Sequence, residues 1–438
     1  MQEKIDTMNI QAQDTGLHNL PKVEPVQVQE RIEVLDVIRG FALLGILIAN
    51  MAWYSSPALY ADFLGENMWT GFWDTITSSF INLFVQGKFY SIFSFLFGLG
   101  FAIFFERAKE RTTKPKFLFH RRLFILLIIG LFHAFFIWYG DILVTYALLG
   151  FLLPLFFNRK PKTLIKWAIS LFGVFLLFLT FLMGILALGR MYNEGMITDS
   201  LQPFYADIEN RIVNSFQAYG QGTFSEIMTQ RTSDTLFALN QVFVSIFVIF
   251  PLFLFGLYAG RKKIFQSIET NLILIRKIWA WSLVIGLTMS IIKFIFKNIM
   301  GADFYSFYTV FHTGAGFFGD TGLCFFFMTS IILLSQNEKW KLKLKPLAYM
   351  GRMALSNYLL QSIICTIIFY NYGFGLYGKI NPALGLVFSI AIFIIQIFIS
   401  KYWLKYYQFG PVEWVWKCLT YGKLFRMKQP KTHENVSR

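Results

Sequence analysis

The chain has 438 residues, of which 55% are hydrophobic and 52 are phenylalanine, with a mean hydropathy of +0.52 and a formal net charge of +15. This composition excludes an ordinary soluble domain and predicts a multi-pass helical membrane protein. The positive charge lies in loops between apolar runs, so it indicates orientation in a bilayer and not nucleic-acid binding. Cys324, Cys365 and Cys418 have neither disulfide nor metal-ligand spacing, and we expect no metal site.

Ten apolar runs have the length and composition of membrane-spanning helices. They lie at residues 37–54, 86–105, 121–138, 142–157, 163–188, 236–258, 272–297, 306–334, 347–370 and 383–403. The run at 142–157 is the shortest, so counts of nine or eleven stay open. We predict an all-α polytopic bundle over residues 31–408, preceded by a disordered cytoplasmic tail at 1–30 and followed by an interfacial cytoplasmic segment at 409–438.

Charge predicts which side of the membrane each loop occupies, because Lys and Arg are retained on the cytoplasmic side. The loop at 106–122 carries seven basic residues, whereas the loop at 55–75 has three acids and neither Lys nor Arg. The alternation continues along the chain and predicts that both termini are cytoplasmic. We expect a multi-pass protein of a bacterial plasma membrane, with the lipid bilayer as its surroundings.

The first predicted helix has polar groups at both ends of one face. Asp36 and Arg39 lie one turn apart near the cytoplasmic boundary, where they can form an ion pair. Asn50 lies on the same face as Arg39, about 16 Å further along the helix axis. A membrane helix with this pattern is predicted to line an interior space rather than lipid.

Ionisable residues also occur near the outer ends of the next helices. Lys88 is interpreted either as a lysine that extends to the membrane surface or as a cation that faces a central cavity. His133 and Asp141 flank the short connection between helices three and four. They are candidates for a catalytic pair; the alternative is that His133 bonds a backbone carbonyl and Asp141 caps helix four.

The second half of the chain contains a long outer segment and a polar helix. The segment at 190–235, about 45 residues, is longer than ordinary loops and is predicted to act as a lid or binding element. Helix eight places His312 about 10 Å below the outer surface and Asp320 about 12 Å further in. A carboxyl near the middle of a membrane needs a partner, a proton or water, so Asp320 is a candidate functional residue.

Helix nine opens with a basic residue and continues with polar ones. Arg352 lies about one turn inside the cytoplasmic boundary. A side chain that extends to the membrane surface would explain Arg352 by itself, but not the polar residues after it. Ser356, Asn357 and Gln361 follow, and the last two share a face because they are four residues apart. We interpret these side chains as lining a cavity or as joining a neighbouring helix.

Several segments together resemble the YeiB family of membrane proteins. They are the opening at 31–47, the run at 88–98, the hairpin at 140–150, the helix start at 351–362 and the closing Gly-Pro-Val-Glu-Trp at 410–414. The likeness spans almost the whole chain after residue 30. The opening Leu-Asp-Val-Ile-Arg-Gly at 35–40 is also similar to heparan-α-glucosaminide N-acetyltransferase and the acyltransferase-three membrane enzymes.

The wider resemblance implies transfer of an acyl group from acyl-CoA inside to a sugar or another acceptor outside. In heparan-α-glucosaminide N-acetyltransferase the proposed catalytic histidine follows the first helix, but residues 51–87 here contain no histidine. His133, oriented by Asp141, is therefore the first candidate for the general base, with Asn50 or Lys88 as oxyanion donor.

The acyltransferase hypothesis also assigns binding roles. Arg39 and Arg352 would attract the phosphates of acyl-CoA, whose pantetheine arm would pass Asn357 and Gln361. No bound cofactor is expected, acyl-CoA would be a co-substrate, and the acceptor would be a small molecule or a glycan. The predicted catalytic residues are His133, Asp141, Asn50 and Lys88, and the predicted binding residues are Asp36, Arg39, Arg352, Ser356, Asn357, Gln361, His312 and Asp320.

A transporter is the main alternative hypothesis. His133, His312 and Asp320 would then form a proton relay through the membrane. No inverted repeat and no matching pair of broken helices is visible in the sequence, which favours catalysis over transport. A lipid-organising scaffold is a third interpretation, and it leaves the ionisable groups at several depths without a purpose. A homo-oligomer is compatible with every one of these interpretations.

Overall fold

The computed structural model describes residues 32–65, 68–300 and 307–429 of the chain. The predicted tail at 1–30 and the end of the predicted C-terminal segment, 430–438, lie outside the described residues. Over the described ranges the chain folds into helices α1 to α17, and its extended pairing is limited to an isolated bridge between Tyr407 and Lys428. The structure therefore confirms the predicted all-α class.

The helices follow one another with short connections. A π-helical turn, His133–Ile137, extends α5, and a short 3-10 turn, Glu269–Asn271, precedes α12. The helices are α1 Glu33–Ser55, α2 Ala58–Leu64, α3 Phe72–Phe84, α4 Lys88–Arg111, α5 Pro115–Phe132, α6 Leu143–Gly150, α7 Leu153–Phe156, α8 Pro161–Tyr192, α9 Glu194–Gln221, α10 Phe224–Leu239, α11 Val242–Arg261, α12 Leu272–Met300, α13 Phe307–Leu334, α14 Glu338–Arg352, α15 Ala354–Phe369, α16 Pro382–Tyr406 and α17 Pro411–Tyr421.

The described residues contain eight helical segments that are long and apolar enough to cross a membrane, or nine if α14 and α15 count as one span bent by 78°. These nine segments match nine of the ten predicted runs, and the tenth, at 142–157, forms two short helices, α6 and α7, of about 21 Å in all. The run still reaches the level of the α4 C-terminus, because the Phe157 ring lies 4.4 Å from that of Phe105.

Helix α1 is central to the bundle and packs against α4, α14, α15 and α16. Its contact with α14 is very close: a Cβ atom on Gly351 would lie 1.8 Å from the Asp36 carbonyl oxygen, and one on Gly40 would lie 1.9 Å from that of Leu347. Only glycine fits at these two positions without displacing a backbone. The crossing brings the start of α1 next to the end of α14.

Basic side chains gather at one end of the bundle, which we call the basic end. It contains the starts of α1 and α5, the ends of α4 and α14, and helix α17. The Trp416 indole N–H of α17 donates to the Arg122 carbonyl of α5 at 2.9 Å, which fixes the C-terminal helix to this end. The His133 turn lies at the opposite end of α5.

The segment predicted as a long outer loop forms the helical hairpin of α9 and α10. Thr223 begins α10 with a capping box, in which its side chain and that of Glu226 bond each other's backbone N–H. The hairpin is held on the π turn, because Arg231 donates to the Phe136 carbonyl at 2.6 Å and Thr235 to the Ala134 carbonyl at 3.0 Å. It covers the end of the bundle that contains His133.

Candidate functional site

Four side chains form a continuous row of hydrogen bonds, which we call the His133 row. His133 Nδ1 lies 2.7 Å from Asp141 Oδ2, and His133 Nε2 lies 2.8 Å from Ser362 Oγ. Ser362 Oγ lies in turn 2.7 Å from the Tyr54 hydroxyl. His133 and Ser362 are 0% exposed and Tyr54 is 1% exposed. Residues from α1, α15 and the α5–α6 hairpin therefore meet in one buried cluster.

The hairpin between α5 and α6 explains how His133 and Asp141 come together. The π turn closes with a bond from the Trp138 N–H to the His133 carbonyl at 2.8 Å, so the chain reverses immediately after the histidine. Asp141 Oδ1 accepts the Val144 N–H at 2.7 Å and caps α6, while Oδ2 faces the imidazole. One carboxylate thus starts the returning helix and orients the ring.

The row permits a proton arrangement suited to base catalysis. With the imidazole neutral and protonated at Nδ1, the Asp141 carboxylate accepts from His133 Nδ1, and Nε2 accepts the Ser362 hydroxyl proton. Ser362 Oγ can then accept the Tyr54 O–H. Carboxylate, imidazole and hydroxyl in this order are the arrangement in which a histidine removes a proton from an attacking oxygen. The row therefore has the geometry of general-base chemistry.

A cavity of about 430 Å³ runs from the basic end toward this row. Its inner walls are apolar and come from α1, α4, α5, α6 and α15, and the inner lining includes Ile46, Phe97, Leu126, Leu143 and Tyr146. Tyr358 lies at the inner end, where its ring centroid is 5.1 Å from that of His133 and its hydroxyl donates weakly to the Gly140 carbonyl at 3.4 Å. Tyr358 thus separates the cavity from the His133 row.

The rim of the cavity is strongly cationic. Six basic side chains line it against the two carboxyls of Asp36 and Glu413, and the six are Arg39, Arg107, Arg111, Arg122, Arg352 and Lys417. Arg39 Nη1 pairs with Asp36 Oδ1 at 2.7 Å, and the Arg122 guanidinium stacks 3.8 Å above the Trp416 ring. In the described part of the chain, Arg352 Nε and Nη2 are buried without a hydrogen-bond acceptor. The rim is suited to an anionic group.

Ser356 and Glu413 fasten α17 to the start of α15. Glu413 Oε1 accepts the N–H groups of Leu355 at 2.7 Å and Ser356 at 3.1 Å, and Oε2 accepts the Ser356 hydroxyl. Burial raises the pKa of Glu413, while these hydrogen bonds oppose the rise. Ser356 therefore contacts a structural partner, and not the substrate space to which the sequence assigned it.

Asn357 and Gln361 face away from the cavity and join α15 to α16. Asn357 Nδ2 donates to Ser400 Oγ at 2.9 Å, and Gln361 Nε2 donates to Gln396 Oε1 at 3.0 Å. Gln396 Nε2 returns a bond to the Asn357 carbonyl at 3.0 Å. The sequence left two interpretations open, and the structure agrees with the one in which these side chains join a neighbouring helix. A pantetheine arm in the cavity would not pass this neutral network.

Lys88 belongs to a second buried cluster, formed with α3, α12 and α13. Its Nζ lies 2.8 Å from Asp320 Oδ1 and donates to the carbonyls of Asn82 at 3.0 Å and Gln86 at 2.9 Å. Lys293 Nζ approaches Asp320 Oδ2 at 3.6 Å. These contacts hold Lys88 away from His133, so the predicted role of Lys88 as its oxyanion donor is corrected.

The remaining predicted residues are also outside the His133 row. Asn50 is half-buried on α1, one turn before Tyr54, and His133 uses both ring nitrogens for Asp141 and Ser362. His312 contacts the Tyr308 ring on its own helix, two turns from Asp320. Sequence reasoning missed Ser362 and Tyr54, because a serine or tyrosine in an apolar helix has no local pattern that identifies a distant partner.

Comparisons with known proteins identify the family. The uncharacterized protein YxaH of Bacillus subtilis (strain 168) is 35% identical over 421 residues, which cover 92% of this chain and 97% of YxaH. The uncharacterized protein YeiB of Escherichia coli (strain K12) is 28% identical over 418 residues, covering 89% of this chain and 96% of YeiB. This chain belongs to the YeiB-like family.

Other comparisons agree with this membership. The family model described as protein of unknown function DUF418 matches residues 259–423, which include Arg352 and Ser362. An uncharacterized 39.9 kDa protein of Bacillus acidopullulyticus is 28% identical over 421 residues, with 92% of this chain and 97% of that protein covered. No solved structure matches the chain. The relatives are bacterial, and the apolar helices make this YeiB-like chain a membrane protein.

Among the residues that the structure describes, no group of three or more His, Cys, Asp or Glu side chains has the arrangement of a metal site. The side chains whose geometry suits proton transfer lie in the His133 row, beside the cationic cavity.

Proposed function

We propose that this YeiB-like protein is a membrane acyltransferase that takes an acyl group from acyl-CoA at the basic end and passes it to a hydroxyl or amine arriving from the opposite end. One observation carries the proposal: a cavity with a cationic rim and apolar walls ends at Tyr358, whose ring contacts His133. A phosphate-bearing thioester with a long flexible arm matches that sequence of surfaces.

The rim would bind the nucleotide part of acyl-CoA. Arg352 has buried donors without an acceptor in the described part of the chain, and phosphate oxygens would satisfy them. Arg122, stacked on Trp416, adds a second planar donor. The charge bias of the loops predicts that this end faces the cytoplasm, where acyl-CoA is made.

The inner end would position the thioester for reaction. Rotation of Tyr358, which is tethered by a weak 3.4 Å bond, would join the cavity to the His133 row. His133 Nε2, with Asp141 stabilising the imidazolium, would remove the proton from the attacking oxygen or nitrogen and return it to the departing thiolate. The Tyr54 hydroxyl is a donor for the oxyanion that forms on the carbonyl.

The proposal is tested with purified protein in detergent or nanodiscs and radiolabelled acetyl-CoA. We expect acetyl-CoA to bind and release of free CoA thiol to accelerate when a suitable hydroxyl or amine acceptor is supplied. A panel of simple sugars, amino sugars and polyols serves as acceptors. Lys343→Ala, which removes an exposed positive charge, should bind acetyl-CoA as wild type does and so controls for attraction by overall charge. Absence of both binding and thiol release across several acyl-CoA species would contradict the proposal.

Proton-coupled transport is a second candidate, and a specific observation favours it. Asp320 and the fully buried Lys88 form an ion pair inside the membrane domain, with Lys293 nearby, and acyl transfer does not use this cluster. Titratable groups at this depth are found in proton relays. Uptake or efflux of a solute driven by a pH gradient in proteoliposomes, lost in Asp320→Asn but retained in His133→Gln, would favour transport over acyl transfer.

A further inference from the structure

We infer that Ser362 is the nucleophile that carries the acyl group as a covalent ester between the donor and the acceptor. The inference rests on the proposed acyl transfer and specifies its chemical path. Its starting point is the order Asp141, His133, Ser362, with separations of 2.7 and 2.8 Å between the bonded atoms. A hydroxyl in this position is within reach of the base that would activate it.

The alternative for a serine in a membrane helix is a bond to the carbonyl one turn earlier. Ser362 has that carbonyl, Tyr358 O, at 3.4 Å, but His133 Nε2 is much closer at 2.8 Å. Thr329 and Ser389, in other helices of this protein, make ordinary backbone bonds of 2.7 and 2.8 Å. The hydroxyl of Ser362 is thus directed to the imidazole rather than to its own helix.

Closure on both sides of the row favours two separate half-reactions. Toward the basic end, Tyr358 separates Ser362 from the cavity. Toward the other end, the tilted rings of Tyr54 and Trp138 have their centroids 3.9 Å apart, and both residues are at most 1% exposed. Direct transfer needs donor and acceptor together and therefore both barriers open at once. An ester on Ser362 lets the donor leave before the acceptor enters.

Transfer through Ser362 has two steps. In the first, Ser362 Oγ attacks the thioester carbonyl, its proton passes to His133 Nε2, the carbon–sulfur bond breaks, and the CoA thiolate leaves with that proton. In the second, His133 removes a proton from the acceptor hydroxyl, the acceptor oxygen attacks the serine ester, and Ser362 leaves with the proton from His133. The acceptor ends as an acyl ester and the serine is regenerated.

Donors for the developing oxyanion are present beside the serine. The Tyr54 hydroxyl lies 2.7 Å from Ser362 Oγ. The Trp138 indole Nε1 is buried without a hydrogen-bond partner in the described part of the chain, and its ring contacts those of Tyr54 and His133. A carbonyl oxygen bound at this point would accept from groups that are already ordered.

The test uses the full-length protein in detergent and radiolabelled acetyl-CoA without an acceptor, quenched with acid at short times. We expect wild type to retain label on the protein, with the acetyl group on the peptide containing Ser362. Ser362→Ala should lose the label by about 100-fold or more. Ser400→Ala, at another fully buried serine, is the matched control and should keep it. Ser362→Cys should accept acetyl as a thioester that neutral hydroxylamine removes faster than the serine ester.

The outcomes separate this inference from the function on which it rests. If wild type binds acetyl-CoA and acetylates an acceptor, but is never labelled and Ser362→Ala keeps the rate, transfer is direct and Ser362 is not the carrier. Label on His133 or another residue overturns the assignment in the same way. If wild type neither binds acetyl-CoA nor releases thiol, the acyltransferase proposal itself fails, and the covalent ester fails with it.

Discussion

Helix α15 has two polar faces that use similar residues for different purposes. On one face Ser362 bonds His133 in an ionisable row beside the cavity. On the other, Asn357 and Gln361 bond Gln396 and Ser400 of α16 in a network of neutral groups. Both sets are buried, so burial and polarity alone do not distinguish the proposed reactive face from helix packing. The proposed reactive face differs in having an ionisable member, His133, and an adjoining cavity.

Replacing the histidine of the first face should reduce activity most strongly. In His133→Gln the amide can still donate to Asp141 but cannot take a proton from an attacking group. We expect the acyl-transfer rate to fall by about 10²- to 10⁴-fold, the usual range for loss of a general base. The thermal unfolding midpoint should change little. A fall of less than threefold would remove His133 from the chemistry.

The next change affects stability, at the close crossing of α1 and α14. In Gly351→Ala the new Cβ would lie 1.8 Å from the Asp36 carbonyl, so α1 and α14 must separate. We expect the free energy of unfolding to fall by about 3 kcal/mol, because overpacking against backbone is costly. Gly173→Ala is the matched control, since nothing lies within 4 Å of its added Cβ. Equal stability of the two variants in detergent melts would contradict the close crossing.

Replacing Arg352 tests whether the cavity binds acyl-CoA beside the His133 row. In Arg352→Ala we expect acetyl-CoA affinity to fall by about tenfold or more, the loss of one charge-assisted phosphate bond. Lys343→Ala removes an exposed charge from the same helix and should alter affinity by less than twofold. Titration calorimetry at two salt concentrations measures both. Identical losses in the two variants would indicate attraction by overall charge instead of a site.

The second face should affect stability and not activity. Gln396→Leu removes the acceptor of the Gln361 amide and the donor to the Asn357 carbonyl. We expect unfolding stability to fall by roughly 1 kcal/mol, as for other polar contacts between membrane helices. The transfer rate should remain within about twofold of wild type. A large loss of activity at unchanged stability would place the amide network in the reaction path.

A smaller change is expected in how the stability of the protein depends on pH, through Glu413 at the start of α15. Because burial raises the pKa of Glu413 above the ordinary value of 4.5, the folded protein binds this proton more tightly than the unfolded chain does. This contribution to stability is complete below the ordinary pKa and is lost as pH rises through the higher, folded-state pKa. In Glu413→Gln the loss should disappear, so the stability difference from wild type should change with pH above 4.5. A constant difference would contradict the raised pKa.

Features that depend on local sequence could be predicted. Apolar length identifies the helices, with the exception of 142–157, where the run breaks into two short helices. His133 and Asp141 are eight residues apart across a tight hairpin, so their proximity follows from the chain itself. Asp36 and Arg39 are similarly one turn apart on α1 and form the pair that this spacing allows.

Features that depend on tertiary packing could not be predicted from the sequence. Ser362 is 229 residues from His133, and no local pattern connects them. Asn357 and Gln361 share a polar face that resembles a cavity lining, yet they face α16, because buried amides are most stable when they bond one another. The aromatic Tyr358, rather than those amides, lies at the inner end of the cavity. Lys88 likewise gained its partner, Asp320, from a distant helix.

In the proposed function, acyl-CoA occupies the cavity with its thioester at the His133 row. A cryo-electron microscopy map of the full-length protein with a non-hydrolysable acetyl-CoA analogue would show whether it does. We predict nucleotide density against Arg352 and Arg122 at the rim, and the pantetheine arm reaching a displaced Tyr358 beside His133. Lipid density in the cavity at saturating analogue, or analogue bound elsewhere, would show that the cavity is not the acyl-CoA site.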